Sequence, residues 1–92
     1  MLDINKIKKR MTRVVPFSNN HFIIRTELGA LFQSHESIVA FKPSSGDTVT
    51  IGRHWNYSST TVRNLGKWLG MSGKEIKQAI KDGSLVYDEE LI

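Results

Sequence analysis

Four side chains near the C-terminus have the types and spacing to hold a nucleic acid. Lys74, Lys77, Gln78 and Lys81 fall at i, i+3, i+4 and i+7, which on an α-helix places them on one side. Lysines neutralise phosphates and release counterions, and a glutamine can form a bidentate pair with adenine in a major groove. Glu75 is exposed by the same pattern and would repel phosphate unless a helix cap occupies it. A second basic group, Lys6, Lys9, Arg10 and Arg13, falls opposite Ile4, Ile7 and Met11 at 100° per residue. Residues 1–14 hold five bases (Lys6, Lys8, Lys9, Arg10, Arg13) and one acid (Asp3), which equals the net charge of +4 for all 92 residues. Both groups also have a plain structural reading, because lysines on an outer helix face keep a protein in solution.

The phrase Trp55-Asn56-Tyr57 offers a third surface. Two aromatics beside hydrogen-bonding groups can anchor a protein partner or stack on bases. They can equally form a seam between sheet and helices, where their large areas are buried and their polar edges satisfied.

Other chemistries have little to work with. The chain has no cysteine, which removes disulfides, thiolate zinc sites and a cysteine nucleophile and fits a reducing, cytoplasmic setting. His21, His35 and His54 lack the i, i+4 spacing of helical metal ligands. Ser58 and Ser59 lack a nucleophile elbow, and the glycines are too dispersed for a phosphate loop. The expectation is therefore no enzyme, no catalytic residue, no metal and no cofactor. No apolar run is long enough for a membrane span, so no membrane partner is expected.

The elements that must position these residues follow from periodicity. Residues 2–13 read as a basic amphipathic helix, stopped by Pro16. Residues 14–53 read as antiparallel strands: His21 to Thr26, Ala30 to Gln33, Ser37 to Lys42 and Thr48 to Gly52 are rich in β-branched and aromatic residues, with turn residues between them. After Trp55 the period lengthens. Ser58, Ser59 and Thr60 can cap a helix over 58–69 with Val62, Leu65 and Leu69 on one face, and Gly70 can end it. Ser72 and Glu75 have capping-box spacing for a second helix over 73–82. Leu85 to Tyr87 can add an edge strand, and residues 88–92 read as a solvated acidic tail. The expected fold is a single α+β domain over 1–92: an N-terminal helix, a three- or four-stranded antiparallel sheet, and a C-terminal helical hairpin packed on it. Val39, Phe41, Ile51, Trp55, Leu65, Leu69, Ile76 and Ile80 form much of its expected core.

Two resemblances add to this. In residues 61–85, Leu65, Gly66, Leu69, Gly70, Met71, Ile76 and Ala79 have the spacing of two helices crossing through a tight turn, which resembles the DNA-binding helix-turn-helix. The resemblance implies that the second helix reads DNA. Separately, FQSHESIVAF at 32–41 and HWNYSSTTVRNLGKWLG at 54–70 resemble a family of small uncharacterised proteins carried by phages and plasmids of Gram-positive bacteria. That family has an F-Q-S-Y phrase before W-[DN]-Y-S-x-T-T. Phe32, Gln33, Ser34, Trp55, Asn56, Tyr57, Ser58, Thr60, Thr61, Leu69 and Gly70 match, His35 stands where tyrosine is common, and Trp68 replaces a phenylalanine. The resemblance implies a mobile-element origin and an α+β fold, and brings no activity.

The expected function is that of a small phage or plasmid accessory protein that binds nucleic acid through Lys74, Lys77, Gln78 and Lys81 and through Lys6, Lys9, Arg10 and Arg13. The alternative is a module that binds a host or phage protein through Trp55, Asn56 and Tyr57 and modulates a host enzyme or defence complex. A homodimer through a sheet edge is a third expectation.

Overall fold

The computed structural model describes residues 11–18 and 20–91. Their elements are β1 (Met11–Ser18), β2 (His21–Thr26), β3 (Gly29–Ser34), β4 (Ser37–Pro43), β5 (Thr50–Gly52), α1 (Ser59–Leu69), α2 (Gly73–Asp82) and β6 (Val86–Asp88). The six strands form one sheet in chain order, antiparallel from β1 to β5 and parallel between β5 and β6.

Two expectations fail here. The first is the N-terminal helix: its last residues, Met11 to Arg13, lie in β1, and among the described residues no helix precedes the sheet. The rest of that expectation, including Lys6, Lys9 and Arg10, lies outside the described residues. Met11 completes an apolar arc with Ile4 and Ile7, but Thr12 to Phe17 is rich in β-branched and aromatic residues, and pairing with β2 satisfies its backbone. Pro16, read as a helix stop, sits in this strand because β1 is at the sheet edge, where a missing N–H is tolerated.

The second is strand number and direction. The sheet has six strands rather than three or four, and it is mixed. The turns between β1 and β5 are short and enforce antiparallel pairing. The chain from β5 to β6 carries both helices and is long enough to return in parallel. The tail also differs from expectation, since Leu91 is fully buried while Glu89 and Glu90 are exposed.

Alternation along the strands divides the apolar residues between two faces. Phe32, Val39, Ala40 and Ile51 pack with Leu65, Ile76, Ala79 and Leu85 under the helices. Ile24, Leu31, Ile38, Phe41 and Leu91 make a second buried cluster. Adjacent Val39 and Ala40 both reach the first cluster beside a register shift of β3 against β4 at Phe32/Gln33. Of the expected core, Val39, Phe41, Ile51, Leu65 and Ile76 are buried, while Trp55, Leu69 and Ile80 are half-buried around the first cluster. Trp68 clamps α1 to the sheet, stacking on Phe32 at 5.2 Å and lying under Lys42 Nζ at 4.9 Å.

Candidate functional site

The helical hairpin forms as its residues dictate. Ser58 caps α1, its hydroxyl accepting from the Thr61 N–H at 3.1 Å. Gly70 ends the helix at φ 73°, a left-handed conformation that a side chain disfavours, and its N–H donates to the Gly66 carbonyl. The chain then doubles back so tightly that a Cβ on Gly66 would lie 2.3 Å from the Met71 carbonyl oxygen. Ser72 opens α2 with a complete capping box: the Glu75 N–H donates to Ser72 Oγ at 3.1 Å, and the Ser72 N–H donates to Glu75 Oε1 at 2.9 Å. Gly73, the first residue of α2, lies against Val62 of α1.

Ile76 and Ala79 are buried beneath α2, whereas Lys74, Lys77, Gln78 and Lys81 are exposed. The structure thus brings these four together: with Glu75 they border one surface depression. The Glu75 carboxylate is tied back to the helix start. These hydrogen bonds, the backbone one first, hold its pKa below the ordinary carboxylate value. Asp82, at the other end, has its pKa lowered by hydrogen bonds from Ser84, the side-chain one first and then the backbone N–H. Both acids therefore sit at the ends of the lysine face. Arg13 is exposed on β1, directly opposite Arg25 of β2.

The aromatic phrase separates. Trp55 is half-buried against the core, Asn56 is exposed, and Tyr57 is 81% exposed. Tyr57 reaches a feature that sequence reasoning missed, a cavity of about 570 Å³ where the β3–β4 turn meets the start of α1. Ser34 and Thr61 form part of its wall, and Asn20, His35, Glu36, His54 and Tyr57 stand around it.

A relay of side chains, buried from His21 through Ser34 to Thr61, backs this wall. His21 Nε2 lies 3.1 Å from Ser34 Oγ, Ser34 Oγ 2.8 Å from Thr61 Oγ1, and Thr61 Oγ1 3.0 Å from the capping Ser58 Oγ. The relay joins β2, β3 and α1. Asn64 makes a parallel tie, donating to the Thr60 carbonyl and accepting from Ser18 Oγ. Each polar atom in these networks is paired, and among the described residues no buried side-chain nitrogen or oxygen lacks a partner. His21 and His35 approach ring to ring at 5.6 Å. Among the described residues no three histidines or acids are grouped so as to hold a metal ion. Two turn residues at the cavity, Asn20 (φ 59°) and His35 (φ 54°), have left-handed backbone, and the His35 N–H donates to the Asn20 carbonyl at 2.7 Å. The only sequence signal for this site was the pair of phrases at 32–35 and 55–61, which converge here.

A family model matches residues 5–83, from the N-terminal basic segment to the end of α2. The chain belongs to that family, DUF8033, a family of unknown function. The DUF8033 match spans both phrases that meet at the cavity as well as the lysine face of α2. No curated protein and no solved structure matches the chain. Among the described residues no helix is long and apolar enough to cross a membrane.

Proposed function

We propose that this DUF8033 protein is a non-enzymatic accessory protein of a phage or plasmid, acting in the host cytoplasm, that binds nucleic acid with the outer face of α2. The observation that carries the reading is the exposure of Lys74, Lys77, Gln78 and Lys81 on one helix face while Glu75 is held in the capping box. Three lysines supply phosphate contacts and Gln78 a base-edge contact. The three-residue connection 70–72 between the helices supports a helix-turn-helix use of the hairpin. Exposed Arg13 adds positive charge from β1. The phage or plasmid origin rests on the sequence phrases alone.

The test is duplex binding measured by fluorescence anisotropy across a salt series. Binding should weaken with salt, and each of Lys74→Ala, Lys77→Ala and Lys81→Ala should reduce the salt slope by about 0.9. No binding at low salt, or binding unchanged by Lys77→Ala with Gln78→Ala, overturns the reading.

Tyr57 supports a second reading, a module that binds a host or phage protein, because so exposed an aromatic is a natural anchor. Capture of one host protein from nuclease-treated lysate, lost with Tyr57→Ala, would favour it.

A further inference from the structure

We propose that the cavity between the β3–β4 turn and the start of α1 is a pocket for a single nucleobase, selective for bases that carry an exocyclic amine. This deepens the nucleic-acid reading and rests on it only for the source of the base, since a free nucleotide presents the same chemistry as an unpaired base in a strand.

The cavity, at about 570 Å³, falls in the usual size range of small-ligand sites. Three rings stand around it, those of His35, His54 and Tyr57, and His54 and Tyr57 are set edge to face at 5.8 Å. The Tyr57 ring, set against His54, keeps most of its surface in water, where an unstacked base can lie on it. The inner wall is polar and built. Ser34 and Thr61 are both more than nine-tenths buried. Each hydroxyl has one donor and two acceptor positions and uses two of the three in the relay, which leaves one for a ligand.

Glu36 supplies the discriminating group. Its carboxylate only accepts hydrogen bonds, so it favours the exocyclic amines, on C6 of adenine, C4 of cytosine and C2 of guanine, over the carbonyl oxygens on C4 and C2 of uracil and thymine. His35 and Asn20 hold left-handed backbone beside the same cavity. Such conformations are costly for residues with a Cβ and gather where a structure fixes side chains for binding. Gly73, at the start of α2, packs on Val62, the neighbour of Thr61.

The probes are the nucleoside 5′-monophosphates of adenine, cytosine, guanine and uracil, and single-stranded homo-octanucleotides of adenine, cytosine and thymine. Affinity is read by titration, and contact by the ring-proton NMR signals of His35, His54 and Tyr57. The expected result is saturable shifts of those signals, with the uracil and thymine probes binding weakest. Tyr57→Ala should weaken binding about tenfold, and Glu36→Gln should narrow the gap between amino-bearing bases and uracil or thymine. Tyr57 and Glu36 are exposed, so both variants fold. Monophosphate binding at these signals marks a free nucleotide as one source, and octanucleotide binding there marks a strand as the other. Monophosphate binding without any duplex or strand binding supports the pocket while the α2 reading falls. Strand binding that depends on Lys77 and Gln78 but not on Tyr57 or Glu36 overturns the pocket and leaves α2 standing. No shift with any probe overturns it outright, as does a shift produced only by a captured protein.

Discussion

The two helices are nearly equal in length, 11 and 10 residues, and they use their side chains in opposite ways. Helix α1 turns two polar residues inward, Thr61 and Asn64, which are buried and bonded across to β3 and β1, while Arg63 and Lys67 stay exposed; Trp68 lies on Phe32. Helix α2 buries only Ile76 and Ala79 and leaves its polar residues in water. A buried hydrogen-bonded group is costly to disturb because its partner is left unsatisfied, whereas an exposed lysine loses little to solvent. Damage to α1 should therefore be read as lost stability, and damage to the outer face of α2 as lost binding.

The largest break in this contrast should come from Leu65→Ala in α1. Leu65 is fully buried, so a cavity there should cost about 2–5 kcal/mol, enough to unfold a domain this small; urea denaturation reads it. Next is Gly66→Ala, which drives a methyl group into the Met71 carbonyl and should lose about 1–3 kcal/mol by the same measurement. Equal stability of this variant and wild type would mean that the hairpin crosses less closely than described.

A smaller effect is expected at the helix caps. Ser72→Ala removes the cap of α2 and should cost about 1 kcal/mol. The capping box also predicts a pH dependence. Glu75 has a folded pKa below its ordinary value of 4.5, so its bonds with Ser72 stabilise the protein above that value. This contribution fades as the pH falls below the ordinary value and is lost once the folded carboxyl is protonated. In Glu75→Gln that part of the acid-side change in melting temperature should vanish. The smallest stability effect, within about 0.5 kcal/mol, belongs to Lys77→Ala. Its melting curve should overlay the wild type while its nucleic-acid affinity falls, which sharpens the contrast between the helices.

Much of the chain was legible from local chemistry. The β2, β3 and β4 segments were readable because β-branched and aromatic runs end in turn residues. Both helices were readable to within a residue because Ser58, Gly70, Ser72 and Gly83 mark their ends, and such caps act within one helical turn. The lysine face of α2 followed from spacing alone. β1 was not legible, because Met11 completes an apolar arc with Ile4 and Ile7 and Pro16 looks like a stop until its strand is known to be an edge. The cavity was not legible either: Ser34, Tyr57 and Thr61 come from segments whose approach depends on how α1 packs on the sheet.

The sequence by itself determined what depends on neighbours in the chain: helix ends, turn positions, the placement of charge, and the lysine spacing on α2. Only the tertiary structure decided which polar residues face inward. The relay through His21, Ser34 and Thr61 joins groups up to 40 residues apart, between which no local pattern runs. Likewise, β6 pairs in parallel with β5 because the two intervening helices carry the chain back across the sheet. Long-range packing sets which hydroxyls meet and which ring is left in water, and those two outcomes make the cavity.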